Sequence, residues 1–212
     1  MFIFMCGRFA QTKELSMLMS RFNFIVSNWV IRQHHNIAPG EDCSIIVQKD
    51  QNRTLKNLRW GLIPRWAKPN APTKPLINAR AETLAEKPSF KQAFAARRCL
   101  VPADGFYEWQ KLEGGKRKKP FLFALKNREP FAFAGIWEEW QPAPDAPPLQ
   151  TFAIITTSAN ELVAPIHDRM PVILKPECES LWLDPRVSDP RRLLPLLAPY
   201  PSGEMERADA AI

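Results

Sequence analysis

Leu15, Leu18, Met19 and Phe22 recur at the three- and four-residue spacing of one helical face, and Thr12 ahead of them is a natural N-cap. The pattern predicts an amphipathic helix over 13–22. Downstream it changes to short runs rich in β-branched and aromatic residues, at 44–48, 55–62, 99–109, 120–125, 131–137 and 152–157, which read as strands. Gly114-Gly115 and Asn127-Arg128 supply turn signals between them, as antiparallel hairpins require. Helical spacing returns at 88–97, 177–183 and 190–197, while "QPAPDAPPLQ" at 141–150 reads as a surface loop. The expected architecture is a strand-rich α+β fold in which a few helices cover a curled sheet, built as one domain without repeat or linker.

Composition narrows the reading. The chain has 212 residues, 45% hydrophobic and 24% charged, enough to bury a proper core. Its 29 Lys+Arg against 22 Asp+Glu give a formal charge of +7, a lean toward a polyanionic partner. The four cysteines, Cys6, Cys43, Cys99 and Cys178, form no CxxC pair, so neither a zinc site nor a disulfide framework is suggested and a reducing, cytoplasmic setting fits best. No metal or cofactor is expected. No apolar run approaches the roughly 18 residues of a membrane span, and the prefix "MFIFM" is too short for a signal-peptide core. Twenty-one prolines, Pro39, Pro64, Pro69, Pro72, Pro75, Pro102 and Pro171 among them, stiffen the connections.

Five segments place polar or ionisable groups beside Gly or Pro in apolar surroundings, which suits a pocket wall better than an ordinary strand. They are "MCGRFA" at 5–10, "HNIAPG" at 35–40, "WGLIPRWAKP" through "INARAET" at 60–83, "CLVPADGFYEW" at 99–109 and "PIHDRMPVIL" at 165–174. In this order they resemble the SRAP family, the SOS-response-associated peptidase-like proteins that sense abasic sites in single-stranded DNA and crosslink to them, which implies a lyase-like covalent trap. The resemblance implies a barrel-like antiparallel sheet and a mature protein that begins at Cys6. Met5 is then the expected functional start, with residues 1–5 a misassigned start or a self-removed leader and 6–212 the single domain. His35 stands where the family commonly has Tyr.

An amino-terminal cysteine is a 1,2-aminothiol, which can condense with one aldehyde carbon through nitrogen and then sulfur to close a thiazolidine ring. The α-amine titrates at about 7.7–8 and the thiol at about 8.5, so both are usable nucleophiles near neutrality. Proton management falls to Glu108 in "GFYEW", whose carboxyl burial would push toward the protonated form, and to His167 in "IHDRMP". Asp168 either orients His167 or pairs with Arg169. Asn78 in "INAR" offers an uncharged donor and acceptor for the sugar hydroxyl or the Cys6 amine. The resemblance assigns catalytic positions to Cys6, Asn78, Glu108 and His167.

The resemblance also gives Arg8 and Arg80 to phosphates flanking the lesion. Trp66 is the candidate wedge that stacks on the bases beside it, with Pro39 on the opposite wall and Asn36 and Gly40 adding contacts. Trp60, Trp109, Trp137, Trp140 and Trp182 are expected to fill core, and the basic stretch "GGKRKK" at 114–119 to be a solvated hairpin tip. The partner expected is single-stranded DNA with an abasic site, met by a monomer in the cytoplasm, at the nucleoid when bound. Two other functions fit the same residues: a thiol peptidase or amidohydrolase with Cys6 as nucleophile and His167 as base, or noncovalent binding of single strands in a basic groove.

Overall fold

The computed structural model describes residues 6–26, 33–69, 74–112, 114 and 118–211. In chain order these form β1 (Phe9–Gln11), α1 (Leu15–Phe22), β2 (Phe24–Ile25), β3 (His34–Ile37), β4 (Asp42–Lys49) and β5 (Asn52–Trp60), followed by β6 (Asn78–Arg80) and α2 (Pro88–Ala96). Next come β7 (Arg98–Ala103), β8 (Gly105–Lys111), β9 (Lys118–Leu125), β10 (Phe131–Trp140) and β11 (Leu149–Ser158). The rest is β12 (Arg169–Pro171), β13 (Ile173–Leu174), α3 (Pro176–Leu183), α4 (Pro190–Leu193) and β14 (Met205–Asp209). Residues 1–5, and with them the expected leader, lie outside the described residues.

The expected strand 99–109 is two strands in two sheets. β7 belongs to the larger sheet, ordered β12-β11-β10-β7-β4-β5-β2, and β8 to a five-stranded sheet ordered β14-β9-β8-β1-β3. The chain changes sheet at Asp104-Gly105. A Cβ on Gly105 would sit 2.7 Å from Leu122 Cδ1 and 2.9 Å from the Phe123 carbonyl oxygen, so only glycine lets β8 start against β9. The larger sheet curls until β5 meets β11, with Thr151 opposite Arg59 and Phe152 opposite Trp60. β11, β10, β7, β4 and β5 thereby close a barrel of five strands. Pairing is antiparallel except where β11 meets β5 and β6 and where β2 meets β5.

Alternation along the barrel strands sends side chains to two separate cores. Phe131 and Phe133 of β10, Val101 of β7 and Phe152 and Ile154 of β11 join Phe9, Trp60 and Phe106 in one cluster. Their neighbours Ala132, Ala134, Leu100, Ala153 and Ile155 face the other way, against Leu18, Phe22, Phe94 and Trp182 of the helices. Both faces are buried, which is why these strands read as nearly continuous apolar runs. Phe133 touches Phe9, Phe106 and Phe131 edge-on at 5.3–6.2 Å; emptying such a position costs about 3–5 kcal/mol.

The first helix starts later than its pattern predicts because Thr12 is used elsewhere. Its backbone N–H and hydroxyl both donate to the Asp104 carboxylate, and Glu14 becomes the N-cap residue without a side-chain bond. Residues 190–197 are one short α-helix followed by a 3-10 turn. Strands β1, β3, β6, β12, β13 and β14 carry too few residues to show a periodic signal.

Candidate active site

Antiparallel register builds the centre of the site. Phe9 pairs with Phe106 and Ala10 with Gly105, and the Tyr107 N–H donates to the Arg8 carbonyl at 3.0 Å. Carrying that register back along the chain sets the segment ahead of β1 beside Glu108. The Cys6 backbone N–H donates to Glu108 Oε1 at 2.8 Å. Cys6 bends the chain there with φ of +42°, a left-handed conformation uncommon outside glycine. Cys6 is 3% and Glu108 2% exposed.

Burial dominates the electrostatics. It pushes the Glu108 carboxyl above the ordinary range, against a smaller downward pull from His167 and from the bonds to Cys6. The Cys6 thiol is raised well above its usual value, first by burial and then by the Glu108 charge. The Cys6 sulfur is thus held as thiol, while its backbone nitrogen lies against the Glu108 carboxyl.

His167 is fixed from behind. Asn160 Oδ1 accepts the Leu162 and Val163 N–H groups, and the His167 N–H closes that turn on the Val163 carbonyl at 3.0 Å. The Arg169 N–H donates to His167 Nδ1 at 3.0 Å, while Asp168 Oδ1 stands 3.0 Å from the same nitrogen. These contacts exclude each other: an N–H needs the Nδ1 lone pair, and a carboxylate needs a proton there. The Arg169 contact belongs to a ring with its lone pair on Nδ1 and the Asp168 contact to a ring with a proton there; Nε2–H is free to donate when Nδ1 accepts.

Arg169 pairs with Glu82, not with Asp168. Its guanidinium meets both Glu82 oxygens at 2.5 and 2.8 Å and donates to the Thr156 carbonyl at 2.7 Å. That fork ties "INARAET" to "HDRMP" across β11, which pairs with both β6 and β12. Sequence reasoning gave Glu82 no role and offered Asp168 as a partner for Arg169; the structure gives that place to Glu82. Asn78 is half-buried on β6 opposite Ile154, and Arg80 on the same strand is exposed.

Among the expected DNA contacts, Arg8 Nη1 donates to Asn36 Oδ1 at 3.0 Å, so Asn36 positions the arginine. Pro39 and Gly40 are exposed beyond β3, with Gly40 at φ of +91° and its N–H on the Trp60 carbonyl at 2.8 Å. His35 points its carbonyl at the Tyr107 hydroxyl, 2.8 Å away. Trp66 is 62% exposed, its indole only touching the Pro88 carbonyl at 3.5 Å. Trp60 and Trp182 are core as expected, but Trp137 and Trp140 are only half-buried, and Trp109 lines a groove with His167 and Asp168. That correction follows from alternation: Trp109 lies one step past Glu108 on β8, opposite Pro120 and two residues short of the last rung before the hairpin connection. Lys116 and Arg117 of the basic tip lie outside the described residues.

Among the described residues no cluster of His, Cys, Asp and Glu is arranged to hold a metal ion, and no helix is long and apolar enough to cross a membrane. A larger cavity of about 660 Å³, near Asn23, Arg53 and Asp184, contains no residue of this site.

The family model of SOS response associated peptidase (SRAP) matches residues 5–210. An abasic site processing protein of Bacillus subtilis, YoqW, is 46% identical over 95% of this chain and 90% of its own length. The Escherichia coli protein YedK, also named an abasic site processing protein, is 31% identical over 87% of this chain and 82% of its own. Among solved structures, a Bacteroides thetaiotaomicron protein superposes with a TM-score of 0.88 at 29% identity, covering 97% of this chain and 92% of that one.

Proposed function

Because the chain belongs to the SOS response associated peptidase family, we propose that it processes abasic sites in DNA, capturing the sugar aldehyde in single strands through Cys6 as a thiazolidine. The observation that carries this reading is the 2.8 Å contact between the Cys6 nitrogen and the Glu108 carboxylate. The names of its relatives YoqW and YedK, abasic site processing proteins, support the substrate.

The chemistry requires removal of residues 1–5, so that the Cys6 nitrogen is an amine. Glu108 then takes a proton from that amine, and the Nε2–H of His167 hydrogen-bonds the ring oxygen as the closed deoxyribose opens, the C1′ hydroxyl proton passing to that oxygen as the C1′–O bond breaks. Nitrogen attacks the freed C1′ aldehyde, and the carbinolamine loses its hydroxyl as water with a proton returned by Glu108, leaving a protonated imine beside the Glu108 carboxylate. The Cys6 thiol adds to the carbon of the C=N bond: sulfur bonds carbon, its proton passes to the Glu108 carboxylate, the C=N electrons return to nitrogen, and the ring closes. One water leaves in all. Asn78 steadies the sugar or the amine, Arg8 and Arg80 hold flanking phosphates, and Trp66 with Pro39 and Gly40 frames the gap left by the missing base.

This order suits the thiol. A thiolate is not needed for the first bond, and a sulfur held protonated by burial reacts second. The same feature works against the peptidase reading, in which Cys6 would have to be ionised at the outset. Mixing the processed protein with an abasic oligonucleotide and running a denaturing gel tests the proposal. A slow-migrating adduct that disappears in Cys6→Ala, while salt-sensitive binding persists, is expected. An undiminished adduct in Cys6→Ala defeats it.

A further inference from the structure

A groove of about 310 Å³ opens beside His167, walled by Trp109, Gln110, Lys111 and Lys118 of the β8–β9 hairpin and by Asp168 on the other side. Lys111 and Lys118 are direct partners at the last rung of that strand pair. Like charges directly opposite one another on a sheet repel. Both side chains are exposed, and among the described residues neither meets a carboxylate. The neighbouring Lys119 is compensated, with its ammonium 2.7 Å from Asp209 and over the Phe121 ring. The hairpin therefore concentrates uncompensated charge on the rung that borders the groove.

We infer that this groove is an anion subsite that receives a backbone phosphate of the DNA strand on one side of the abasic nucleotide, held between Lys111 and Lys118. The inference rests on the proposed function and extends its substrate contact. The groove adjoins the centre through His167, which lines it and also acts electrostatically on Glu108. A phosphate between the two ammonium groups removes their mutual repulsion and contributes the counterion release that dominates nucleic-acid affinity. Asp168, 84% exposed across the groove, repels an anion and keeps the phosphate on the hairpin side. The two lysines steer one flank of the strand. They take no part in the bond-forming steps.

The test uses the processed protein and a single strand carrying a reduced, non-crosslinking abasic analogue, with binding followed by anisotropy across a salt series. Two double variants are compared: Lys111→Ala with Lys118→Ala, and Lys126→Ala with Lys175→Ala, which removes equal charge elsewhere. For the first pair, the slope of log affinity against log salt should become shallower by about 0.7 to 1.4, one or two single-strand phosphate contacts. The loss should vanish when the oligonucleotide is truncated on one side of the lesion and persist when it is truncated on the other. The control pair should keep the wild-type slope. A wild-type slope in the Lys111/Lys118 variant, an equal loss in both variants, or a loss indifferent to which side is truncated overturns the inference. Adduct yield on a reactive abasic strand at saturating concentration separates the two proposals. Normal yield with an altered slope supports both, whereas no adduct even in wild type sinks the chemistry while the slope still judges the groove.

Discussion

Glu108 and Arg98 are both ionisable side chains sealed inside the protein, at 2% and 4% exposure, and they are built in opposite ways. Arg98 spends every donor. Nε bonds the Trp182 carbonyl, Nη1 those of Phe94 and Ala95, and Nη2 those of Asp184 and Val187, at 2.5 to 2.8 Å. Burial pushes its guanidinium down to about 10, yet it stays charged at any physiological pH and joins the ends of α2 and α3 to β7. Glu179 is similar, shared at 1% exposure between Arg21 and Arg53. Glu108 has no such cage: the Cys6 N–H, the Cys6 thiol and the Trp109 backbone N–H are its partners, with no cation in contact among the described residues, and its carboxyl is raised. A buried charge that is fully paired holds structure, and one left with spare capacity beside a nucleophile can move protons.

Exchanging the two behaviours by mutation should separate them. Glu108→Gln in the processed protein keeps the shape and removes the proton acceptor. The rate of adduct formation should fall by about 10²–10⁴-fold, as expected for a lost general acid–base, with unfolding little changed; single-turnover gels at several times read it. Arg98→Met should do the reverse, leaving five carbonyls without their donor at a cost of about 3–5 kcal/mol. Its denaturant midpoint should drop sharply while adduct chemistry below that midpoint stays near wild type. A normal midpoint would show that the five bonds contribute little net stability.

Smaller effects sharpen the boundary of the site. Trp66→Ala should weaken binding to an abasic strand by about 1–3 kcal/mol, the worth of one base stacked on an aromatic ring, and leave thermal stability within about 0.5 kcal/mol because the indole is exposed. Equal affinity for wild type and variant would remove Trp66 from the DNA path. The smallest effect is one of pH. In the chain that keeps residues 1–5, the folded pKa of Glu108 exceeds the unfolded value of about 4.3. Its contribution to stability is therefore whole at acid pH and declines as pH rises through the folded pKa. Glu108→Gln escapes that decline, so its melting temperature should exceed wild type by more at pH 8 than at pH 4. A pH-independent difference would mean that the carboxyl is not raised.

How much of this was legible beforehand differs between fold and site. Apolar runs revealed the long barrel strands, because β10 and β11 are buried on both faces and cannot hide among polar residues. The break at Asp104-Gly105 was missed although Asp-Gly is a turn signal, because the pattern does not say that the chain changes sheet there, which depends on the fit of Gly105 against Leu122. Thr12 misled because its cap-forming groups bond Asp104, 92 residues away. Family motifs pointed to Cys6, Glu108 and His167, and register explains the Cys6–Glu108 meeting. Long-range polar pairs such as Arg8 with Asn36 and Arg169 with Glu82 leave no local periodicity, so the chain could not announce them.

Intact mass spectrometry of the natively expressed protein after reaction with an abasic oligonucleotide tests the central claim most directly. The account predicts a conjugate equal to the chain beginning at Cys6 plus the oligonucleotide, less one water. A conjugate that still carries residues 1–5, or one formed without loss of water, would contradict it.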